Sequence, residues 1–441
     1  MFCALLLTSC SKDDDNNTTK PIDDNPTDSV EHGKIFSYTY QNQTLYYLIN
    51  NYDEASVLPP LYLDTLVDDD KMWTGYDKPV GAVVIPDHVP YCGREFPVTK
   101  IRYCTFLNCY DITSVTLPST IKVLGDYCFA SDTSLVSINL PESIEEIGYG
   151  AFENCRSLKE CVIPAKVKEL LPGTFLYCNS LTSVKLPEGL TAIGDWALSE
   201  CAALQSVNLP EGLTTISDCA FRNDFSLTDI TFPSTLTKIG GWAFQYDENI
   251  GPDIVIPEGV DTIGDCAFGD CYGIESIKLP STLKYIGEWS LAMCVKLDNI
   301  VFPDHMTHLA EAVLFGCESL TTCHLPAQLQ AIDQELFYDT AIDHIDIPEH
   351  VTSIGPWAFG SCLQLKELTL PASVTEMADS VFSDDTRLDR LTLECATPPT
   401  VTDKTFEDDH FQTALIVPKG AAQAYRRHDI WGRFTSITEK E

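Results

Sequence analysis

The stretch Leu181–Leu198, LTSVKLPEGLTAIGDWAL, decides the fold because the chain repeats it. Residues 204–221 read LQSVNLPEGLTTISDCAF, and the same proline recurs along most of the sequence. These prolines lie at positions 118, 141, 164, 187, 210, 233, 257, 280, 303, 326, 348 and 371, with an earlier copy at 86. Eleven steps from Pro118 to Pro371 cover 253 residues, a mean of 23 residues per step. A fixed period of this length predicts stacked supersecondary units that bury their apolar sides against each other.

Each repeat combines a short strand, a bend and a bulky apolar side chain. In the first part of the phrase, Val184 points to one face of a strand while Ser183 and Lys185 point to the other, and a proline ends the strand. Ile193-Gly194 predicts a second short extended piece with a tight bend. The Ala-Phe segment that follows predicts one helical or 3₁₀ turn whose Phe fills the coil interior. The sequence therefore predicts a solenoid of about thirteen coils with mostly short parallel strands.

Composition argues against several classes of function. The chain has 441 residues, with 28 Lys and Arg against 65 Asp and Glu, and a formal net charge of −37. Nucleic-acid binding rests on basic side chains that neutralise phosphates, so we expect no nucleic-acid partner. The charge also disfavours anionic membrane surfaces, and no apolar stretch is long enough for a transmembrane helix. Because nucleophile, zinc-protease, phosphate-loop and dinucleotide motifs are all missing, we expect a protein that is not an enzyme and has no cofactor.

The first residues resemble the end of a bacterial lipoprotein signal peptide. Residues 1–9, MFCALLLTS, are apolar and precede Cys10, which implies cleavage before Cys10 and acylation of its thiol. The basic start of such a signal is missing, which points to an upstream start codon; a buried apolar N-terminus is the alternative. Residues 11–15, SKDDD, resemble the acidic export signal of Bacteroidota surface lipoproteins. Residues 10–33 carry many carboxylates and few apolar side chains, so we expect a disordered tether.

Caps are expected at both ends of the solenoid. Residues 34–80 form the predicted N-terminal β cap, in which residues 35–50, IFSYTYQNQTLYYLIN, predict a β-hairpin that shields the open edge of the first coil. Residues 51–80 are expected to be irregular. The solenoid itself spans residues 81–393 and carries an early insertion, PYCGREFPVTK. Residues 394–441 form the predicted C-terminal cap.

The repeat resembles the BspA-like, or Treponema-type, leucine-rich repeat of bacterial surface proteins over residues 81–393. The ending resembles the C-terminal cap of that family through Pro398, Pro399, Phe406, Tyr425 and Trp431. The resemblance implies a leucine-rich-repeat solenoid, a right-handed and curved α/β superhelix. It also implies a non-catalytic, exported lipoprotein on the bacterial cell surface, held to the outer membrane only through acylated Cys10. Adhesion to host proteins or to other bacteria is the function that the resemblance implies.

Cysteine recurs at one repeat position, three residues after the Phe or Leu that fills the coil. Eight coils have cysteine there, namely Cys109, Cys155, Cys178, Cys201, Cys271, Cys294, Cys317 and Cys362. The others have Asp132, Asp224, Asp247, Thr340 and Asp385. Because Asp and Thr occupy the same position in other coils, this position favours a small polar side chain that forms hydrogen bonds with the loop backbone. We therefore expect these cysteines to be reduced thiols with a structural role. Disulfides between adjacent coils are the alternative, although three consecutive cysteines cannot all pair. Zinc is disfavoured because no Cys-x-x-Cys or histidine cluster is present, and we expect no metal.

Two further rows are candidate binding surfaces. Trp196, Trp242, Trp289 and Trp357 share one repeat position, and Cys219 and Cys266 separate the first three of them. Alternation of large and small residues is typical of tight packing, whereas a carbohydrate platform would require exposed indole rings. The second row, which should line the concave strand face, includes Lys185, Asn208, Thr231, Lys278, His324, His344 and Asp346. Short polar side chains suit any exposed strand, and a protein-binding face is the alternative. His324, His344 and Asp346 could meet, but they are weak evidence for a metal site.

This pattern is compatible with three alternative functions, and the sequence does not identify the ligand. The first is a surface-anchored solenoid that binds a protein of a host or of another bacterium. The second is a glycan-binding lipoprotein for polysaccharide capture, and the third is a structural envelope protein without a specific ligand. The oligomeric state remains open.

Overall fold

The computed structural model describes residues 30–62, 71–383 and 388–441. Six strands make up its N-terminal part: β1 (Ile35–Tyr40), β2 (Gln43–Ile49), β3 (Ala55–Leu58), β4 (Gly81–Val84), β5 (His88–Tyr91) and β6 (Arg94–Ile101). The predicted hairpin is formed by β1 and β2, and its turn residues Gln41 and Asn42 have φ values of 48° and 65°. Two successive left-handed residues are typical of a type I′ turn, which suits the twist of antiparallel strands.

The described residues of segment 51–80, namely 51–62 and 71–80, are more ordered than the sequence predicts. β3 pairs antiparallel with β2 and parallel with β6, so the hairpin joins the sheet of the first coils. Trp73 is buried, and its indole N–H donates to the carbonyl oxygen of Thr105 at 3.1 Å. The expectation of an irregular segment is wrong here because β3 is buried at all four residues and so lacks the alternation that marks a strand. The early insertion forms an antiparallel hairpin of β5 and β6.

Most later coils contribute a first strand before the repeat's proline and a shorter second strand. In the first half these strands are β7 (Ile112–Thr116), β8 (Val123–Leu124), β9 (Ser137–Asn139), β10 (Glu146–Ile147), β11 (Glu160–Val162), β12 (Glu169–Leu170), β13 (Ser183–Lys185), β14 (Ala192–Ile193), β15 (Ser206–Asn208), β16 (Thr215–Ile216), β17 (Asp229–Thr231) and β18 (Lys238–Ile239). In the second half they are β19 (Asp253–Val255), β20 (Thr262–Ile263), β21 (Ser276–Lys278), β22 (Tyr285–Ile286), β23 (Asn299–Val301), β24 (Thr322–His324), β25 (Ala331–Ile332), β26 (Ser353–Ile354), β27 (Glu367–Leu370), β28 (Glu376–Met377) and β29 (Arg390–Leu393). Equivalent strands pair in parallel one repeat apart, as Val184 with Val207. The predicted leucine-rich-repeat solenoid is confirmed.

The core is a continuous column of apolar side chains that runs through the coils. Phe side chains fill successive coils, and their rings stack on each other: the centroids of Phe129 and Phe152 are 5.6 Å apart, and those of Phe244 and Phe268 are 5.3 Å apart. All four rings are fully buried. The Phe of each repeat therefore fills the coil interior, as the sequence predicts.

The segment that carries the Phe is a run of turns rather than a helix. In one coil the N–H of Ala197 donates to the carbonyl of Gly194 within the coil, whereas the N–H of Leu198 donates to Ala220 of the next coil. Trp196 and Glu200 have φ values of 53° and 61°. Alternation between bonds within and between coils excludes a helix, so the predicted helical or 3₁₀ turn is wrong for these residues. Instead, backbone hydrogen bonds between the turn segments of successive coils form a third ladder, beside those of the first strands and the second strands.

The C-terminal part extends the stack and then closes it. It comprises a 3₁₀ turn (Asp408–Gln412), β30 (Ala414–Val417), the helix α1 (Ala422–Arg427), a second 3₁₀ turn (Trp431–Arg433) and β31 (Ser436–Glu439). β30 and β31 continue the parallel sheet of β27 and β29. Tyr425 and Trp431 are buried; the Tyr425 hydroxyl donates to the carbonyl of Cys395 at 2.7 Å, and the Trp431 indole donates to that of Pro399 at 2.9 Å. These contacts cover the last coil.

The helices of the described residues include none that is long and apolar enough to cross a membrane. Cys10 and the rest of residues 1–29 lie outside the described residues, as does Asp385 of the cysteine row. The lipidation and tether hypotheses therefore stay predictions.

Candidate functional site

The cysteine row belongs to the core. Cys155, Cys178 and Cys201 are fully buried, and each thiol donates to the carbonyl of the Phe one coil earlier, at 3.1, 3.1 and 3.3 Å. All cysteines of the described residues are free thiols. Burial raises the pKa of these three thiols, which disfavours the thiolate that metal binding and disulfide exchange need. The structure thus supports reduced thiols whose hydrogen bonds fix the backbone of the neighbouring coil.

Aspartate takes the same position in three described coils, as Asp132, Asp224 and Asp247, all fully buried. One carboxyl oxygen of Asp224 accepts the N–H of Cys201, and one of Asp247 accepts the N–H of Asp224, both at 2.8 Å. The second oxygen of all three is buried without a hydrogen-bond partner. Burial raises the pKa of these carboxyls well above the usual range, and the neighbouring Asp247 raises that of Asp224 further. They lie between coils, so we regard them as structural.

The tryptophan row lies on the turns and is unevenly exposed. Trp242 is 39% exposed and Trp357 is 38% exposed, whereas Trp196 and Trp289 are half-buried. All four have φ values between 53° and 58°, so the row sits on the left-handed residues that redirect the chain. Cys219 is buried and Cys266 is half-buried beside the larger indoles. Packing therefore explains much of the row, and Trp242 and Trp357 remain the members that a ligand could reach.

A second aromatic series on this face was not predicted. The ring centroids of Trp289 and Phe315 are 4.9 Å apart, and those of Phe315 and Tyr338 are 5.0 Å apart with the rings nearly parallel. A Cβ at Gly360 would lie 2.7 Å from the Tyr338 ring, so backbone covers the end of the series. Because the rings lie against one another, the series suits packing better than sugar stacking. The sequence analysis missed it because Phe315 and Tyr338 occupy a different repeat position from the tryptophans.

The strand face is the exposed side of the first strands. Lys185 on β13, Asn208 on β15 and Thr231 on β17 are all exposed, and they stand side by side across parallel strands. Neighbouring strands in a sheet lie about 4.8 Å apart, so equivalent side chains form regular rows along the stack. The structure therefore places these three residues of the predicted row side by side on one surface.

Apolar side chains interrupt this polar row at its centre. Val255 is 58% exposed and Val301 is 61% exposed, on β19 and β23, and Lys278 lies between them on β21. Val255 is paired with Lys278, and Ser276 is paired with Asn299, which brings Lys278 beside Val301. We call Val255, Lys278 and Val301 the valine patch. Only Lys278 was predicted as a binding residue, although Val255 and Val301 also stand at outward positions of the repeat strand.

The two histidines of the predicted row do not form one cluster with Asp346. The His324 imidazole contacts Asp304 at 3.0 Å, whereas that of His344 contacts Asp346 at 3.2 Å. His344 and Asp346 lie in a coil whose first strand is not formed. Among the described residues no group of three or more His, Cys, Asp or Glu side chains could hold a metal ion. The suggestion that these three side chains meet is therefore wrong.

Two shallow depressions lie beside the second strands. One has a volume of about 400 Å³ and is lined by Gly259, Asp261, Ser281, Thr282, Lys284 and His305. The next has a volume of about 290 Å³ and is lined by Thr307, Gln328, Gln330, His350 and Thr352. Both are open and polar, and an ion pair of 3.2 Å between Lys284 and Asp261 occupies part of the first. These surfaces suit contact with a large partner better than enclosure of a small substrate.

Comparison with known proteins agrees with this geometry. The model of the BspA type leucine rich repeat region matches residues 99–225, 214–340, 248–365 and 292–414. Among solved structures, a leucine-rich repeat protein from Bacteroides ovatus is 23% identical with a TM-score of 0.63, and the match covers 92% of this chain and 100% of that chain. A leucine rich cell surface protein from Faecalibacterium prausnitzii is 27% identical with a TM-score of 0.48, over 81% of this chain and 94% of that chain. No curated protein matches the chain at a significant level.

Proposed function

We propose that this chain, which belongs to the BspA-type leucine-rich-repeat family, is a non-catalytic protein of the bacterial cell surface that binds a macromolecular partner. The partner class that fits best is a protein of a host or of another bacterium. Solenoids of stacked repeats present extended surfaces, and such surfaces serve recognition of large partners. Membership in a repeat family supports a binding role rather than catalysis.

One observation carries the proposal, namely the valine patch on the strand face. Val255 is 58% exposed and Val301 is 61% exposed on the strand face, and Lys278 lies on the strand between them. Around them lie short polar side chains, and Ser276 donates to Asp253 at 2.6 Å. An apolar centre with a polar rim is the arrangement of a protein interface. Backbone hydrogen bonds hold the strands in place, so the patch is preorganised and loses little entropy on binding.

The experiment that tests the partner class uses immobilised host-matrix proteins and intact cells of other bacteria. Purified protein should bind at least one such surface in a saturable way, and protease treatment of the surface should abolish binding. Glycosidase treatment should leave binding unchanged. Absence of binding to every surface tested would contradict the proposal and favour a structural envelope protein.

Glycan binding is the second candidate, and the exposure of Trp242 supports it. Sugars stack on open indole faces, and Trp242 is 39% exposed between Cys219 and Cys266 of the adjacent coils. Saturable binding on a glycan array that Trp242→Ala abolishes and Val301→Ser does not would support this function. The same result would contradict the protein-binding proposal if protease treatment had no effect on the natural surface.

Anchoring to the outer membrane through acylated Cys10 is part of the proposal. The support comes from the sequence alone, where Leu7-Thr8-Ser9 precedes Cys10 and an acidic run follows it. Intact-mass analysis of the protein from its native host should show an N-terminal acylated Cys10. A mature protein that retains Met1 and an unmodified Cys10 would contradict lipid anchoring without bearing on the binding face.

A further inference from the structure

The first strand of the N-terminal cap has an open edge. Within the described residues β1 pairs only with β2, and it ends its sheet. The two-residue turn makes Tyr40 and Gln43 a hydrogen-bonded pair, and such pairs alternate along an antiparallel ladder. Phe36, Tyr38 and Tyr40 therefore direct their N–H and C=O groups to β2. Ile35, Ser37 and Thr39 direct theirs to the open edge.

Within the described part of the chain, this edge lacks the features with which proteins usually block strand pairing. The sequence of β1, IFSYTY, contains no charged residue, proline or glycine, and its register with β2 is unbroken over six pairs. Natural edge strands are protected by charges, prolines, bulges or a covering element. The nearest charged side chain, Lys34, is paired with Glu31 at 2.6 Å. The strand is therefore an uncharged template for another strand.

The opposite end of the stack is protected. At the last strand, β31, the guanidinium of Arg426 donates to the carbonyl oxygen of Ile437 at 2.7 Å. A carboxylate oxygen of Glu439 accepts the N–H of Ala422 at 3.2 Å, which holds α1 against the strand. Lys440 follows directly and pairs with Glu394 at 2.6 Å. Among the described residues, one end of the solenoid thus carries charges and a helix on its edge strand, whereas β1 at the other end carries neither.

The open edge of β1 is complementary to itself. If two copies pair antiparallel about Ser37, the outward groups of Ile35 in one copy face those of Thr39 in the other, and the two Ser37 residues face each other. Phe36 then lies opposite Tyr38 of the second copy, and aromatic cross-strand pairs stabilise sheets. Like charges do not face each other anywhere in this register. We propose that β1 pairs with β1 of a second copy, joining two solenoids at their N-terminal caps.

The strand is rigid enough for this role. The Phe36 ring stacks on Tyr91 with centroids 4.2 Å apart, and the Thr39 hydroxyl is hydrogen-bonded to that of Thr44 at 2.7 Å. Both contacts fix the strand from its two faces without using the outward backbone groups. Because one strand pair buries a small area, the association should depend on protein concentration.

Sedimentation velocity of the full chain tests the proposal, with a reductant because Cys92 exposes a thiol. The wild type should show a species of twice 48.9 kDa that grows with concentration. Ser37→Pro removes an outward N–H while leaving the bonds to β2 intact, so it should halve the sedimenting mass with an unchanged melting temperature. Ser37→Thr keeps the N–H and should remain dimeric.

Hydrogen exchange separates pairing between copies from pairing within one chain. The amides of Ile35, Ser37 and Thr39 should exchange slowly at high concentration and rapidly on dilution. Three results would overturn the proposal: a wild type that stays monomeric at the highest concentration, a Ser37→Pro variant that dimerises like the wild type, or amides that stay protected in the monomer. The last would mean that another segment of the same chain covers the edge.

Discussion

At the residue scale, one repeat position accepts both a thiol and a carboxyl because both can bond backbone between coils. Cys178 donates to a carbonyl, whereas Asp224 accepts an N–H, and both lie in the core. The free-energy costs of burying a thiol and a carboxyl differ, however. Desolvation of a thiol is mild, whereas Asp224 and Asp247 each leave one carboxyl oxygen buried without a partner.

Asp247→Asn should change how stability depends on pH. Burial raises the pKa of Asp247 in the folded state above its unfolded value, so the contribution of this carboxyl to stability is fully present below about pH 4 and is lost as pH rises. The variant keeps the acceptor for Asp224 and lacks the charge. Urea titrations should show that the variant gains stability relative to wild type between pH 4 and pH 8. A stability difference that is the same at pH 4 and pH 8 would contradict the prediction.

Truncation of a core Phe tests the inward assignment. Phe268 is fully buried and stacks on Phe244, so Phe268→Ala should lower the free energy of unfolding by about 3–5 kcal/mol through the cavity that it leaves. Phe225→Ala is the matched control, because Phe225 is 40% exposed and its loss should change stability by less than about 0.5 kcal/mol. Urea denaturation followed by circular dichroism measures both. Equal effects of the two substitutions would refute the assignment.

At the element scale, the sequence predicts the strands well and the turns poorly. Alternation around Val184 and the proline after it identify the first strand from local chemistry alone. The turn segment instead depends on the next coil, since Leu198 donates its N–H to Ala220. A partner 22 residues away leaves no local signal, so an Ala-Phe segment looked helical. The four-residue strand β3 was missed for a related reason, because both of its faces are buried by distant segments.

Left-handed residues in these turns give a prediction at this scale. Ser361 has a φ of 55°, and the same position is occupied by Asn154 and Asn223 in other coils. Ser361→Asn should leave stability unchanged or raise it, because asparagine tolerates this conformation. Ser361→Val should lower the free energy of unfolding by about 1–2 kcal/mol, since a β-branched residue there is strained. Urea titration of both variants checks the order, and a valine variant as stable as the asparagine one would contradict the turn geometry.

At the scale of the whole molecule, the repeat determines on which face each side chain lies, but it does not show which side chains contact a partner. The period predicted the solenoid, and the row of Lys185, Asn208 and Thr231 is found on one face as expected. The sequence places Val255 and Val301 at outward positions of the repeat strand, but their exposure, and with it the valine patch, is known only from the structure. His324 and His344 were wrongly joined because the coil that carries His344 does not form a first strand.

The affinity of a strand-face variant for the captured partner tests the central claim most directly. Val255→Glu combined with Val301→Glu places two carboxylates in the valine patch, and Leu363→Glu makes the same change at a residue that is 45% exposed on a loop. Burying an unpaired charge in an interface costs several kcal/mol, so the double variant should bind at least about a hundredfold more weakly. Leu363→Glu should bind like the wild type. Equal affinity of all three proteins would contradict recognition through the strand face.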